Sequence, residues 1–212
     1  INYIEQKHPR GLPDAFIIGK KFIGNDNVAL ILGDNFFYGQ SLGLKLKEST
    51  KLKSGAKVLL HKVSKPELYG VAKINKNKKI IKIVEKPKKF VSDYAITGLY
   101  FFDNKVIKLA KTLKPSKRGE TEIIDLLNKY KNAKKLKADF IGRGGAWLDT
   151  GSIKDFYNTS TFVSTIENRQ GMKIACLEEI AFHNKWIKRK EIQNSIKFYG
   201  NCDYSNYLKK II

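Results

Sequence analysis

The stretch that most constrains this chain is Val28-Ala-Leu-Ile-Leu32, five apolar residues in a row. Gly33-Asp34-Asn35 follows at once, then Phe36-Phe37-Tyr38 and a closing Gly39. An unbroken apolar run bounded by turn formers reads as a strand buried on both faces at the centre of an α/β sheet. Ligands in open α/β sheets sit at the carboxyl ends of such strands. Gly33 permits close approach of backbone or ligand, and Asp34 offers the hard oxygen atoms that Mg²⁺ takes. Taken alone, Asp34 serves equally well as a helix cap or a turn residue.

Around that strand the chain alternates short apolar runs with helical patterns. Ile1–Ile4 reads as an opening strand, which a chain starting mid-element leads us to expect is preceded by further sequence. Asp14 reads as the cap of a short helix through Phe16, Ile17 and Phe22, closing at Gly24. Lys57–Val63 reads as a strand. Val71–Ile74 and Ile80–Val84, separated by Asn75-Lys76-Asn77, read as a hairpin, which Pro87 ends because it has no N–H to give a ladder. Tyr94–Phe102 is a long strand with Gly98 at a bulge or close approach. Asp103 and Glu120 open helices, and Leu136–Ile141 is a strand. Ala146–Gly151 is a second strand-to-helix junction with an acid, Asp149. Ser152 caps a helix ending at Gly171. Lys173–Cys176 reads as a strand, followed by two short helices. The pattern gives an α/β fold with a mainly parallel mixed sheet and an antiparallel hairpin insertion. Residues 1–171 form the α/β domain, and 172–212 a C-terminal strand and helices packed on it or at a subunit contact.

Charge narrows the partners. Lys+Arg number 41 against 20 Asp+Glu, a formal net charge of +21. The lysines are spread along the whole chain, without zinc-finger spacing, RNP-like aromatics or a basic heptad, so they read as a solvated surface rather than a nucleic-acid interface. Such a field also gathers phosphorylated substrates. Cys176 and Cys202 form no CxxC, which argues against zinc and a disulfide framework. The apolar runs fall short of the ~20 residues a membrane helix needs. The expectation is a soluble, cytoplasmic protein with no nucleic-acid or membrane partner.

Asp34 and Asp149 each end an apolar stretch beside glycine. If both strand ends meet in one cleft, the two carboxylates repel, and a divalent cation between them removes that repulsion; two independent helix caps are the other reading. Glu85-Lys86 is either a surface ion pair or a cleft pair, since strand neighbours point to opposite faces unless Pro87 frees both. Tyr69-Gly70, Tyr100 and Trp147 are walls for a sugar or base, or core aromatics. His8, His61 and His183 have no nucleophile or ligand partner at a telling spacing and take no role.

Five strings taken together, in order, carry a resemblance. They are Leu32–Gly39, Glu85–Pro87, Tyr94–Phe101, Gly142–Gly151 (Gly-Arg-Gly-Gly-Ala-Trp-Leu-Asp-Thr-Gly) and Glu167–Gly171 (Glu-Asn-Arg-Gln-Gly). With them the chain resembles the glucose-1-phosphate thymidylyltransferases among the sugar nucleotidyltransferases. The resemblance implies a Rossmann-like nucleotidyltransferase fold, a homotetramer, and thymidylyl transfer from dTTP to glucose 1-phosphate, the step opening the route to dTDP-L-rhamnose. It implies Asp34 and Asp149 as Mg²⁺ ligands, and Gln6 and Gly11 as readers of the thymine edge. It further implies Lys86 as the sugar-phosphate lysine, with Asn35, Tyr69, Gly70, Glu85, Ile96, Tyr100 and Trp147 about the sugar. Where the family continues Gly-Leu with Ala-Gln-Ala, this chain has Gly11-Leu12-Pro13-Asp14-Ala15, an acid beside the nucleotide. The family's Gly-rich phosphate loop with Gly-Thr-Arg is not found in these residues. The resemblance therefore implies an N-terminally truncated chain, catalytically poor by itself. The alternative is a non-catalytic fragment that binds sugar nucleotide or an intact subunit.

Overall fold

Nine alternately packed residues, Tyr94–Phe102, form the longest strand of the computed structural model, which describes residues 1–212. In chain order the elements of the first unit begin with α1 (Asp14–Ile18), α2 (Lys20–Ile23), β1 (Val28–Ile31), β2 (Asn35–Tyr38), α3 (Leu42–Thr50) and β3 (Ala56–Lys62). A single 3₁₀ turn at Pro66–Leu68 leads into β4 (Gly70–Ile74), β5 (Ile80–Glu85) and β6 (Tyr94–Phe102). Then come α4 (Lys105–Ala110), α5 (Ile123–Asn132), β7 (Leu136–Phe140) and β8 (Ala146–Asp149). Ile1–Asp149 is one unit; Thr150–Ile212 is the other, containing α6 (Ile153–Gln170), α7 (Leu177–His183), α8 (Arg189–Tyr199) and α9 (Asp203–Ile211).

The α/β class and the mixed sheet are as expected, but the balance of pairings is different. The order is β5-β4-β6-β3-β7, with β1 also on β6, and β2 pairs separately with β8. Only β3–β7 is parallel; the other pairings are antiparallel. Strand β6 organises the sheet because its side chains alternate between two apolar layers. Tyr100 and Phe102 enter the layer beneath α1, α4 and α5, where Phe16, Val106, Leu126 and Leu127 are buried. Leu99 and Phe101 enter the opposite layer with Leu59, Phe37 and Leu46. The register slips between Val58 and Leu60, a bulge that aims Thr97 Oγ1 at the Leu59 carbonyl, 3.1 Å away.

Several local expectations are corrected. Ile1–Ile4 forms no strand and is exposed. β1 is not central: it pairs only with β6, and its burial alternates, Ala29 and Ile31 standing on an uncovered face with Ile31 58% exposed. Asp14 lies inside α1 rather than capping it, and its carboxylate accepts from Gln6 instead. Asp103 does not cap α4. It is buried, accepts from the Gly55 N–H at 2.7 Å and the Tyr130 hydroxyl at 2.7 Å, and so ties β3 to α5.

In the second unit Ser152 does cap α6, its Oγ accepting from the Asp155 N–H at 3.1 Å, and Gly171 closes the helix at φ 68°. Lys173–Cys176 is not a strand, because Glu167 engages that segment: it accepts from the Ile174 N–H at 2.9 Å and pairs with Lys173 at 2.6 Å. Three helices rather than two follow, closed over Cys176, Ile192 and Leu208.

Candidate active site

The β2–β8 ladder gathers the acids. Asn35 is the register partner of Asp149, and Phe37 of Trp147. Asp34 immediately precedes β2, in a turn closed by the Asn35 N–H on the Leu32 carbonyl at 3.2 Å. Paired Cα atoms lie at most about 5.5 Å apart, and consecutive ones ~3.8 Å. The backbones of Asp34 and Asp149 are therefore within about 9 Å, at the same end of the same ladder.

Asn35 connects the groups there. Its side-chain oxygen accepts from the Gly98 N–H at 3.0 Å and from the Trp147 indole N–H at 2.6 Å. Both neighbours are donors, so the amide nitrogen must face the other way, and it donates to Asp34 Oδ1 at 2.8 Å. One amide thus positions an acid, an aromatic wall and the central strand. Gly98 is required by that contact: a Cβ there would lie 2.5 Å from Asn35 Oδ1 and 2.8 Å from Leu32 Cδ1.

Trp147 is buried, with Tyr69 set edge to face against it at 5.0 Å and His61 at 6.5 Å. Gly70 pairs with Glu85 across β4–β5, and its Cα faces both Ile124 and the Glu85 carboxyl, leaving no room for a side chain. Burial, then the charge of Glu122, pushes the Glu85 carboxyl above its ordinary value, while Lys86 and Arg118 pull it down. Lys86 has φ +39°, a left-handed backbone, and its N–H donates to the Tyr69 carbonyl at 3.0 Å. The left-handed turn breaks the strand alternation at Lys86.

Ile96 and Tyr100 stand differently. Both are buried in the main layer, Tyr100 stacking near Phe102 at 6.2 Å. Burial, with the nearby Glu85 charge, pushes its phenol well above the ordinary range, so it stays neutral beneath the carboxyl and presents no ring face outward. Gln6 and Gly11 form a separate cluster. Gln6 Nε2 donates to the Gly11 carbonyl at 3.2 Å and to Asp14 Oδ2 at 3.0 Å, which spends both of its hydrogens and leaves Oε1 as the outward group. Gly11, at φ +96°, is pinned against Thr121, whose N–H and hydroxyl both donate to the Arg10 carbonyl. Asp14, the departure from the family pattern, therefore orients Gln6.

Arg118 escaped the reading of the sequence. It forks onto both Glu122 oxygens at 2.9 Å, Ser116 donates to the same carboxylate at 2.8 Å, and Arg118 also senses Glu85. Arg118, paired to Glu122, is thus a second cation, besides Lys86, whose charge reaches Glu85. Its one signal was composition: five arginines in a chain that otherwise uses lysine mark positions where a planar fork is wanted.

The nucleotidyl transferase family model matches residues 1–166. A glucose-1-phosphate thymidylyltransferase of Neisseria meningitidis is 45% identical over 212 residues, all of this chain and 74% of its own length. That of Mycobacterium tuberculosis is 40% identical over 212 residues, 73% of its length. Among solved structures, a Bacillus anthracis protein described as a glucose-1-phosphate thymidylyltransferase, bound to sucrose, superposes with TM-score 0.67 at 41% identity. The match covers 76% of this chain and 63% of that one. A UDP-glucose pyrophosphorylase bound to UDP-glucose gives TM-score 0.68 at 27% identity, over 77% and 66% of the two chains.

Proposed function

The chain belongs to the nucleotidyl transferase family and, within it, to the glucose-1-phosphate thymidylyltransferases, and from that membership we propose what its residues do. The substrates are dTTP and glucose 1-phosphate. A phosphate oxygen of the sugar attacks the α-phosphorus of dTTP, the bond to the β-phosphate bridging oxygen breaks, and pyrophosphate leaves with its electron pair. The product is dTDP-glucose, at the first step toward dTDP-L-rhamnose, made by a homotetramer in the cytoplasm. No helix is long and apolar enough to cross a membrane.

The observation that carries this reading is the Asn35 cluster, with Asp34 and Asp149 at one ladder end beside an aromatic wall. Two carboxylates with no third acid, His or Cys beside them make a sparse donor set. Mg²⁺ bound mainly through substrate phosphates takes such a set rather than an all-protein cage. Asp34 and Asp149 would hold it, and when bound it offsets the charge of the nucleotide phosphates. Lys86 and Arg118 counter the repulsion between the two anions as the sugar phosphate approaches. Arg118 arrives preformed, since Glu122 already fixes its fork. Gln6 presents Oε1 as an acceptor for the thymine N3–H, and Gly11 completes that edge. Tyr69 and Trp147 wall the sugar, and Glu85 accepts from its hydroxyls.

Pyrophosphate release with dTTP, UTP, ATP and GTP tests the reading. The proposal predicts slow dTTP turnover, as expected of a chain without the Gly-rich phosphate loop, dependent on glucose 1-phosphate and lost in Asp149→Asn. Equal rates with all four nucleotides, or an active Asp149→Asn enzyme, would overturn it.

A further inference from the structure

A cavity of about 630 Å³ opens between β3, the β4–β5 hairpin and the loop after β7. Its volume is that of a pocket for one small molecule rather than a groove for a polymer. Ile74, Tyr94 and Phe140 make its apolar wall, with the two rings edge to face at 5.4 Å. Cations crown that wall. Lys62 Nζ lies 5.3 Å from the Tyr94 ring centre, and Lys78 Nζ 5.7 Å from that of Phe140. Arg143 lines the same mouth.

The charges there are not balanced. Lys62 pairs with Asp93 at 2.9 Å, whereas neither Lys78 nor Arg143 has an acid within ion-pair distance. Inside, His61 lines the cavity with its Nδ1 buried and without a hydrogen-bond partner. Burial holds the imidazole below its ordinary pKa while its other side meets the Ile141 backbone, so Nδ1 is a lone-pair acceptor at neutral pH.

We propose that this cavity binds a small organic anion carrying a planar ring. Lys78 and Arg143 hold the anionic group, and the ring packs against Tyr94 and Phe140 with His61 at the cavity wall. The cavity lining includes neither ladder acid and meets the ladder through the His61–Trp147 contact, and the proposal does not depend on the function assigned there.

Phenyl phosphate tests it, with inorganic phosphate and phenol as the two halves, by calorimetric titration of the full chain. The expected result is one phenyl phosphate per chain, bound at least tenfold tighter than either half and shifting the His61 ring-proton resonances. Lys78→Asn tests the cation and Phe140→Leu the ring; each should weaken binding about tenfold. Lys78 is exposed at φ +57°, which Asn adopts readily, so this variant keeps the fold. Lys86→Met, on the other site, should leave this binding unchanged. The proposal is overturned if phenyl phosphate binds no better than inorganic phosphate, if binding survives both variants, or if Lys86→Met abolishes it.

Discussion

Replacing Asn35 by aspartate separates what its amide accepts from what it donates. The carboxylate still accepts from the Gly98 N–H at 3.0 Å and the Trp147 indole at 2.6 Å, so the strand contact survives. What is lost is the donor 2.8 Å from Asp34 Oδ1. A hydrogen bond to a charged acceptor contributes about 1.5–3 kcal/mol. Two carboxylates ~4 Å apart repel by about 4 kcal/mol at an effective dielectric near 20; Asp34 is exposed, so solvent screens much of that. The hydrogen bond alone corresponds to a rate loss of roughly 10- to 150-fold. In pyrophosphate release, Asn35→Asp should therefore lose at least tenfold in kcat, with a melting temperature roughly 3–12 °C below the parent. Asn35→Ala should lose similar activity and also about 1–3 kcal/mol of stability, since two donors are stranded. An Asn35→Asp enzyme within threefold of the parent rate would refute the positioning argument.

Other residues give separate tests. Arg118→Lys keeps the charge but breaks the fork on Glu122, and should raise KM for glucose 1-phosphate about tenfold while leaving that for dTTP unchanged. Gly98→Ala drives a methyl to 2.5 Å from Asn35 Oδ1 and should cost about 1–3 kcal/mol in urea unfolding together with activity. Glu85 has a carboxyl pKa raised above 4.5 in the fold, by burial first and then by Glu122. The protonated form is favoured, so its stabilisation is complete below pH 4.5 and lost as pH rises through the folded value. Glu85→Gln should accordingly melt higher than the parent at pH 7 but not at pH 4; an equal difference at both would contradict the burial argument.

Features written in local sequence were legible. Strand β6 ran as expected, because a nine-residue apolar stretch has no other use for its alternate faces. The hairpin at Asn75–Asn77, the Ser152 cap and the Gly171 stop also follow from neighbours alone. What failed depended on distant partners. Asp14 and Asp103 both carry the signature of a cap, yet one serves Gln6 and the other bridges Gly55 and Tyr130. The apolar run at Val28 reads as central, but a strand's place in a sheet is set by what pairs with it. The site was partly legible. The acids at Asp34 and Asp149 stand out by composition, whereas the single amide that joins them acts through two residues far away in sequence, Gly98 and Trp147. His61 gave no signal because its singular feature, an unmatched buried nitrogen, exists only in three dimensions.

The central claim is that Asp34 and Asp149 act on one divalent ion together with the nucleotide. Mn²⁺ titration followed by electron paramagnetic resonance, with dTTP present, in Asp34→Asn, Asp149→Asn and the double variant measures it directly. One nucleotide-dependent site that each single variant abolishes, with no further loss in the double, is the predicted result. Independent, additive losses, or undiminished Mn²⁺ binding in either single variant, would contradict it.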